Sequence, residues 1–180
     1  MLKALKINEE LGNEQEIAKN YGNIGLIYLE IEDFDKAEKY SLAALPIFQK
    51  YQMNPAIATL NGNLGIIYKE KKDYKKALEK FQVALKLDIE LDNKAGIIRH
   101  LTNLGSLNVL INKKQDAITY LEKALELSKQ IEDYRSESIA LGNLGHIYLT
   151  FATDTIDNKN LNESKKNDYL NKSVSLSKEA

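Results

Sequence analysis

The chain has 180 residues, of which 43% are hydrophobic, and its 25 basic and 26 acidic side chains give a formal net charge of −1. This balance gives no electrostatic basis for binding nucleic acid or an anionic membrane surface. The absence of cysteine excludes disulfides and thiolate metal sites. The sequence also lacks an apolar run long enough to span a bilayer and the apolar core of a signal peptide. These features predict a cytoplasmic protein with one domain over residues 1–180.

One segment recurs along the chain at a constant spacing of about 40 residues, within the range of about 20 to 50 that indicates a repeat architecture. Its copies open with an Asn-Leu-Gly or Asn-Ile-Gly step at Asn23, Asn63, Asn103 and Asn143. Each copy contains two apolar patterns of helical period, and neither helix can bury its apolar face alone. The sequence therefore predicts an all-α stack of antiparallel helix pairs.

The first predicted element is a helix over residues 2–11. The segment Ala4–Asn13 aligns with Ala84–Asn93, which lies in the second helix of a later repeat. The chain therefore starts with a half repeat, residues 1–13, whose first helix is missing. This start predicts a fragment of a longer protein. The alternative is a natural start at this point, with the lone helix acting as a cap.

Three full repeats follow, over about 14–53, 54–93 and 94–133, and then a degenerate repeat over 134–180. Their phase predicts helices over 14–31, 34–51, 55–71, 74–91, 94–111, 114–131, 134–152 and 164–178. Asp33 and Asp73 are predicted N-caps. The Asn54-Pro55 step predicts an N-cap followed by proline in the first turn. Pro46 lies inside a predicted helix and is expected to kink it or to end it early.

The degenerate repeat contains an insertion. Tyr169–Lys178 aligns with Tyr120–Lys129 but lies nine positions later than the period requires, so nine residues have been added near 152–165, within the polar run Ala152–Asp168. One interpretation is a loop that contacts a partner or a neighbouring domain. The other is a tolerated insertion in a terminal repeat, where a solvated outer surface is expected.

A glycine follows the opening Asn-Leu or Asn-Ile step of every repeat. A glycine in a helix interior costs about 1 kcal/mol relative to alanine. Because that cost recurs at each period, a side chain at these positions is expected to collide with a neighbouring helix. The four positions are Gly25, Gly65, Gly105 and Gly145.

The second full repeat resembles the tetratricopeptide repeat family. Its matching residues are Leu64, Gly65, Tyr68, Ala77, Phe81 and Ala84. The unit is six residues longer than the roughly 34 residues usual in that family, and it is similar to the NLG-type repeats of kinesin light chains, spindle-orientation scaffolds and many bacterial signalling proteins. The resemblance implies a right-handed α-solenoid. It also implies that the first helix of each repeat lines a concave groove that binds a protein or peptide ligand.

A helical wheel identifies the groove side of each first helix. Thr59, Asn63 and Ile66 lie away from the core residues Leu64 and Tyr68. The predicted groove residues of the four repeats are Lys19, Asn23, Leu26, Thr59, Asn63, Ile66, Arg99, Asn103, Ser106, Asn143 and His146. Lys19 and Arg99 are the only predicted groove cations and lie two repeats apart. The pattern therefore does not predict the cationic clamp with which some tetratricopeptide domains bind a terminal carboxylate.

Asparagine occupies one groove position in all four repeats. Its amide can donate to and accept from a peptide main chain without requiring a particular ligand side chain. These asparagines could instead bond to the neighbouring repeat and stiffen the array, and the two roles are compatible.

The sequence predicts neither catalysis nor a metal or cofactor site. His100 and His146 lie more than one repeat apart, and no phosphate-binding loop or metal-spaced ligand cluster occurs. His146 is either a groove contact or a solvated surface residue. The predicted function is a non-enzymatic interaction or regulatory scaffold, and by resemblance such bacterial arrays often precede a kinase, cyclase or transcription-regulator domain. The alternatives are a homodimer formed through the uncovered end helices and, from another class, an enzyme.

Overall fold

The computed structural model describes residues 7, 8, 10–153, 167, 171, 174, 175 and 178. Over residues 11–153 the chain forms seven α-helices and no strand: α1 (Glu14–Glu30), α2 (Phe34–Lys50), α3 (Asn54–Glu70), α4 (Tyr74–Glu90), α5 (Lys94–Leu110), α6 (Lys114–Gln130) and α7 (Tyr134–Thr153). Each of these helices begins and ends within one residue of its predicted bounds. The predicted helices over 2–11 and 164–178 and the predicted insertion near 152–165 lie almost wholly outside the described residues.

The described chain forms two compact units, which meet in sequence between Asn93 and Lys94. In the first unit α1 packs against α2 and α3, and α3 also packs against α2 and α4. In the second unit α6 packs against α5 and α7, and α5 also contacts α7. Within each unit, therefore, the helices pack in consecutive pairs and the first helices of successive pairs touch. The assignment of residues 1–180 to one domain stays a prediction.

Each unit has an apolar core in which small residues alternate with large ones. In the first unit the cluster of buried side chains is Ala18, Ala44, Phe48, Ile57 and Leu60. In the second unit it is Ala117, Ile118, Leu121, Leu144, Ile147 and Tyr148. The alanines allow neighbouring helix backbones to approach closely, while the larger side chains fill the space between them.

The packing glycines lie where the helices of one pair are closest. A Cβ atom at Gly65 would lie 2.5 Å from Phe81 Cδ1, and one at Gly105 would lie 2.6 Å from Leu121 Cγ. A Cβ at Gly25 would lie 2.9 Å from the Ser41 hydroxyl oxygen. The expected collision with a neighbouring helix is therefore confirmed at these three glycines.

The turns between helices share one form. After α1, Glu32 has a φ of 60°, and its N–H bonds to the Leu29 carbonyl at 3.1 Å while the Asp33 N–H bonds to the Tyr28 carbonyl at 2.8 Å. This pair of bonds is the Schellman arrangement of a helix C-terminus. The same left-handed conformation recurs at every half period, at Gly12, Gln52, Lys72, Asp92, Asn112 and Glu132. In most turns the residue is not glycine, so composition alone does not mark the position.

The N-cap predictions are confirmed for two helices and wrong for a third. The Asp33 and Asp73 carboxylates accept hydrogen bonds from backbone N–H groups in the first turns of α2 and α4, at 3.1 and 3.2 Å. The N-cap of α3 is Met53, not Asn54, and Met53 makes no side-chain capping bond. The preceding turn explains the shift, since the Met53 N–H bonds to the Phe48 carbonyl at 2.9 Å and fixes Met53 as the last turn residue.

Of the two outcomes expected at Pro46, a kink or an early end of the helix, the early end does not occur. The α2 helix continues through Pro46 to Lys50. Proline removes the hydrogen bond that residue 46 would donate to the Leu42 carbonyl. Both residues are exposed, so water can solvate that carbonyl. The buried side chains of Ala44 and Phe48 hold the helix on both sides of the proline.

Candidate peptide-binding surfaces

The contact between α1 and α3 contains a depression of about 440 Å³. Phe48 and Leu60, which are 4% and 3% exposed, form its floor. We call it the Asn23 depression; its lining residues are Lys19, Gly22, Asn23, Leu26, Phe48, Pro55, Ala56, Thr59, Leu60 and Asn63. Five predicted groove residues, from two consecutive repeats, thus lie around one apolar floor.

A second depression of the first unit lies toward the C-terminal ends of the same two helices. This Glu70 depression has a volume of about 420 Å³ and is lined by Leu29, Glu32, Phe34, Ile66 and Glu70. It contains Ile66, the remaining predicted groove residue of the first unit. The Glu70 carboxylate pairs with the ammonium of Lys69 at 3.1 Å.

The second unit has a depression at the equivalent place on α5 and α7. This Arg99 depression has a volume of about 490 Å³ and is lined by Ile98, Arg99, Thr102, Asn103, Asp133, Arg135, Ser136 and Ile139. Six of these residues lie two periods after a lining residue of the Asn23 depression; for example, Asn103 corresponds to Asn23 and Arg135 to Pro55. The same site therefore recurs two periods later in the sequence, but its lining changes from mainly apolar to charged.

The other predicted groove residues of the second unit meet in a smaller depression. This His146 depression has a volume of about 130 Å³ and is lined by Ser106, Val109, Leu121, Asn143, His146 and Ile147. All eleven predicted residues thus line one of the four depressions. Whether a ligand binds to them stays a prediction.

The four repeated asparagines differ in exposure. Asn23 is exposed, and Asn63, Asn103 and Asn143 are half-buried. Within its own unit, and among the described residues, none of these amide side chains bonds to another residue. Other asparagines of the same helices behave differently: the buried Asn61 and Asn108 each donate to a carbonyl one turn back, at 2.8 Å. The repeated amides are thus available to a ligand.

The Asn23 and Arg99 depressions each contain a charged side chain that is bonded within the chain. The Lys19 ammonium donates to the Glu16 carboxylate at 2.6 Å. Asp133 caps α7, because its carboxylate accepts from the Ser136 hydroxyl at 2.6 Å and from the Ser136 N–H at 3.1 Å. These two bonds from Ser136 hold the pKa of Asp133 below its usual range.

Arg135 is a cation near the predicted groove residues that sequence reasoning missed. It lines the same depression as Arg99, so Lys19 and Arg99 are not the only cations that line the depressions of the described chain. Arg135 lies in the first turn of α7, one turn before the residues that the helical wheel places on the groove side of this helix. Its correspondence with Pro55, two periods earlier, is the signal that could have identified it.

The two histidines have different surroundings. His100 is fully buried in α5, whereas His146 is exposed and lines its depression. In the described part of the chain, no group of three or more histidine and carboxylate side chains could hold a metal ion.

Gly22 differs from the packing glycines of the first helices. A Cβ atom at Gly22 would lie 3.7 Å from Phe48 Cε2, which is an ordinary contact distance. Alanine would therefore fit, although a helix-interior glycine costs about 1 kcal/mol relative to alanine. Gly142 in α7 is similar, since a Cβ there would meet no atom within 4 Å.

None of the helices in the described ranges combines the length and apolar character needed to cross a bilayer. The structure is instead built from helix pairs repeated along the chain, with the first helices providing the depressions, and this defines it as a helical-repeat protein.

Sequence profiles of the tetratricopeptide repeat match residues 18–50 and 55–130, which together exceed half of the chain. The chain belongs to the tetratricopeptide repeat family. Among solved structures it is similar to BtubC (BKLC) from P. vanneervenii, with 18% sequence identity and a TM-score of 0.70 over 99% of this chain and 83% of that chain. At this identity the likeness supports the fold alone, and the predicted all-α solenoid class is confirmed. A comparison with curated proteins gave no significant match.

Proposed function

We propose that the protein is an interaction or regulatory scaffold module that binds a peptide or a partner domain along its first helices. The observation that carries this proposal is the placement of four unbonded asparagine amides in depressions of the first helices. Amides of this kind can bond to a ligand main chain, while an apolar floor such as that of the Asn23 depression accepts a side chain. Tetratricopeptide repeats in general mediate protein–protein interaction, and their fold is typically non-catalytic.

We place this module in the cytoplasm, as a part of a larger bacterial signalling protein. The surface would there bind a partner and report its presence to an attached kinase, cyclase or transcription-regulator domain. The support for this setting is the resemblance of the longer NLG-type repeat to the repeats of such proteins.

The test is the double variant Asn63→Ala with Asn103→Ala, which removes one amide from each unit. A suitable ligand is a labelled twelve-residue peptide selected from a random displayed library against the full chain and titrated by fluorescence anisotropy. A neutral hydrogen bond contributes about 0.5–1.5 kcal/mol net, so the loss of both bonds should lower the affinity by a factor between about 5 and about 150. The melting temperature should change little, because these side chains make no bond within their units.

The matched control is Asn61→Ala with Asn108→Ala, which removes two asparagines from the same helices. Their amides are buried and bond to backbone carbonyls, so this variant should lose stability and keep its affinity per folded molecule. If the Asn63 and Asn103 variant instead melts far below the wild type and binds normally, the repeated asparagines stiffen the array and the proposal is wrong.

Self-association is the second candidate function. The observation that favours it is the pair Ile27, in the last turn of α1, and Ile31, the residue that follows α1, which are 42% and 64% exposed. A homodimer through this face would appear in light scattering as a mass that increases with concentration. Ile31→Lys should then return the protein to a monomer. A monomeric wild type over the whole concentration range excludes this function.

A further inference from the structure

The surface of the first unit has two equivalent stripes whose charges are reversed. One stripe runs from the turn after α1 into α2, and the other runs one period later from the turn after α3 into α4. We call them the α2 stripe (Glu32, Asp35 and Lys39) and the α4 stripe (Lys72, Lys75 and Glu79). All six side chains are exposed, and at each of the three equivalent positions one stripe is acidic where the other is basic.

The two stripes are neighbours, and most of their charges are open to a partner. The Lys71 ammonium, next to the α4 stripe, bonds to the Asp35 carboxylate at 2.8 Å and to the Glu38 carboxylate at 2.6 Å. The Asp35 side chain nevertheless remains 89% exposed. Among the described residues of this unit, four other members of the stripes form no ion pair: Glu32, Lys39, Lys72 and Glu79.

The third helix pair shows that the repeat itself does not require these charges. Its residues at the same three positions are uncharged: Asn112, Gln115 and Thr119. The reversed charges are therefore a property of the surface of the first unit, not of the positions that fold each helix pair.

An apolar patch lies beside the charges. One turn after Lys39 and Glu79, α2 exposes Leu42 at 42% and α4 exposes Val83 at 44%. At these two positions α6 has charged residues instead, Glu122 and Lys123. Apolar side chains next to a charged rim are the usual composition of a protein–protein interface.

The alternation of sign selects the kind of partner that fits. A nucleic acid or an anionic membrane presents negative charge alone, so the acidic members of both stripes would repel it. A second copy of this chain presents both stripes. A two-fold axis between the stripes and parallel to them turns the α2 stripe of one copy onto the α4 stripe of the other. Equivalent positions then face each other, so every pair joins opposite charges and the apolar patches of the two copies meet.

We propose that the first unit forms a two-fold homodimer in which the α2 stripe of each copy binds the α4 stripe of the other. The ion pairs select the orientation of the two copies, and burial of Leu42 and Val83 adds affinity. Exposed ion pairs are individually weak and are screened by salt, so the dimer is reversible and weakens as ionic strength rises. The inference is independent of the proposed peptide binding, because the stripes lie on turns and second helices. It also uses a surface other than that of Ile27 and Ile31.

The experiment uses two variants of the full chain, each of which gives both stripes mainly one sign of charge. The acidic variant is Lys39→Glu with Lys72→Glu, and the basic variant is Glu32→Lys with Glu79→Lys. In a homodimer of either variant, like charges face each other at two of the three positions. Sedimentation equilibrium should therefore give a dissociation constant at least about tenfold above that of the wild type.

Mixing the two variants separates a change of interface from misfolding. In a heterodimer of the acidic and basic variants, opposite charges again face each other at every position. An equimolar mixture should therefore associate at least as tightly as the wild type, which damaged folds would not do.

The matched control is Lys94→Glu with Lys123→Glu, which changes the net charge as the acidic variant does, but on exposed residues of the second unit. At about 0.15 M salt, charges more than about 8 Å apart are largely screened, so its dissociation constant should stay within about twofold of the wild type. When it is mixed with the basic variant, it should associate more weakly than the acidic variant does.

Three results would overturn the inference. A wild type that is monomeric at every concentration excludes the dimer. A wild-type dimer that the acidic and basic variants retain with unchanged affinity uses another surface, and the self-association function then stands without the stripes. Equal association of the basic variant with the acidic variant and with the control would reduce the effect to net charge. Peptide binding is tested separately by the asparagine variants, and each of these results leaves it unaffected.

Discussion

In two helix pairs a large side chain of the second helix faces a glycine of the first: Phe81 faces Gly65, and Leu121 faces Gly105. These contacts determine how closely the two helices of each pair approach. Phe81 is fully buried, and a Cβ at Gly65 would lie within 2.5 Å of its ring. Gly65→Leu should therefore lower the free energy of unfolding by about 1–3 kcal/mol, because overpacking forces the two helices apart. Urea denaturation followed by circular dichroism measures this change.

Gly142→Leu provides the comparison for Gly65→Leu, since it adds the same side chain to another first helix where the space is open. It should leave the free energy of unfolding within about 0.5 kcal/mol of the wild type, as surface substitutions usually do. Equal midpoints for Gly65→Leu and the wild type would show that α3 and α4 are not in close contact at Gly65.

At the same scale, the sequence predicted first-helix residues that line the depressions but missed residues that reach these depressions from elsewhere. Asn23 and Asn63 were predictable because the period and the helical wheel place them on one side. Phe48 could not be found in this way, since it belongs to a second helix and enters the Asn23 depression through packing with α1 and α3. Arg135 was missed because it lies in the first turn of α7, one turn before the positions that the helical wheel selects.

At the scale of the helix, the N-terminus of α6 has no side-chain cap. Its N-cap residue is Lys113, with φ and ψ of −98° and 62°, close to the −84° and 70° of the capping residue Asp73. Lys113→Asp should therefore supply the missing bond and raise the free energy of unfolding by about 1 kcal/mol. Lys113→Asn should give a similar gain, because both residue types cap helices well.

The two variants should differ in acid. At Asp33 the side-chain bond from the Lys36 ammonium, and then the capping bond from the Lys36 N–H, hold the pKa below its ordinary value of 3.8, and Lys76 acts in the same way on Asp73. Three positions after residue 113 the chain has Asp116 instead of a lysine, so only the backbone capping bond would lower the pKa of an aspartate there. A carboxylate with a lowered folded pKa adds stability above its unfolded pKa and loses it as the pH falls through the folded value. The gain of Lys113→Asp should thus shrink below about pH 4, while that of Lys113→Asn persists. Parallel pH dependence of both variants from pH 7 to 3 would contradict a charged cap.

The helix bounds were predictable because all repeats share one period. A turn that is recognised in one repeat therefore gives the position of the equivalent turn in every other repeat. Asp33 and Asp73 marked two such turns correctly. The misplaced cap at Asn54 shows the limit of this reasoning, since turn geometry selected Met53, whose side chain also packs on the core of its unit. Pro46 shows a second limit, because packing on both sides of a proline can maintain a helix that propensity alone would end.

At the scale of the whole molecule, the period predicts which surfaces are equivalent but not what each of them binds. The Asn23 and Arg99 depressions occupy the same register two periods apart, yet one is apolar and the other contains two arginines and an aspartate. The two arginines and their counterparts, Lys19 and Pro55, are at exposed positions, where the packing of the helix pairs does not determine the residue. The ligand therefore could not be deduced from the features that specify the fold.

Burial also predicts where the molecule opens first. In the first unit α3 has nine buried residues and α1 has three, and among the described helices α3 packs against α1, α2 and α4 whereas α1 packs against α2 and α3. Local opening requires less free energy where fewer contacts are lost, so the slowest amides of α3 should exchange at least about tenfold more slowly than those of α1. Hydrogen exchange followed by mass spectrometry at several protein concentrations measures this ratio.

Equal protection that is independent of concentration would mean that the unit opens as one cooperative block. Protection of α1 that increases with concentration would instead show a second chain covering Ile27 and Ile31, and would favour self-association over peptide binding as the role of this end of the molecule.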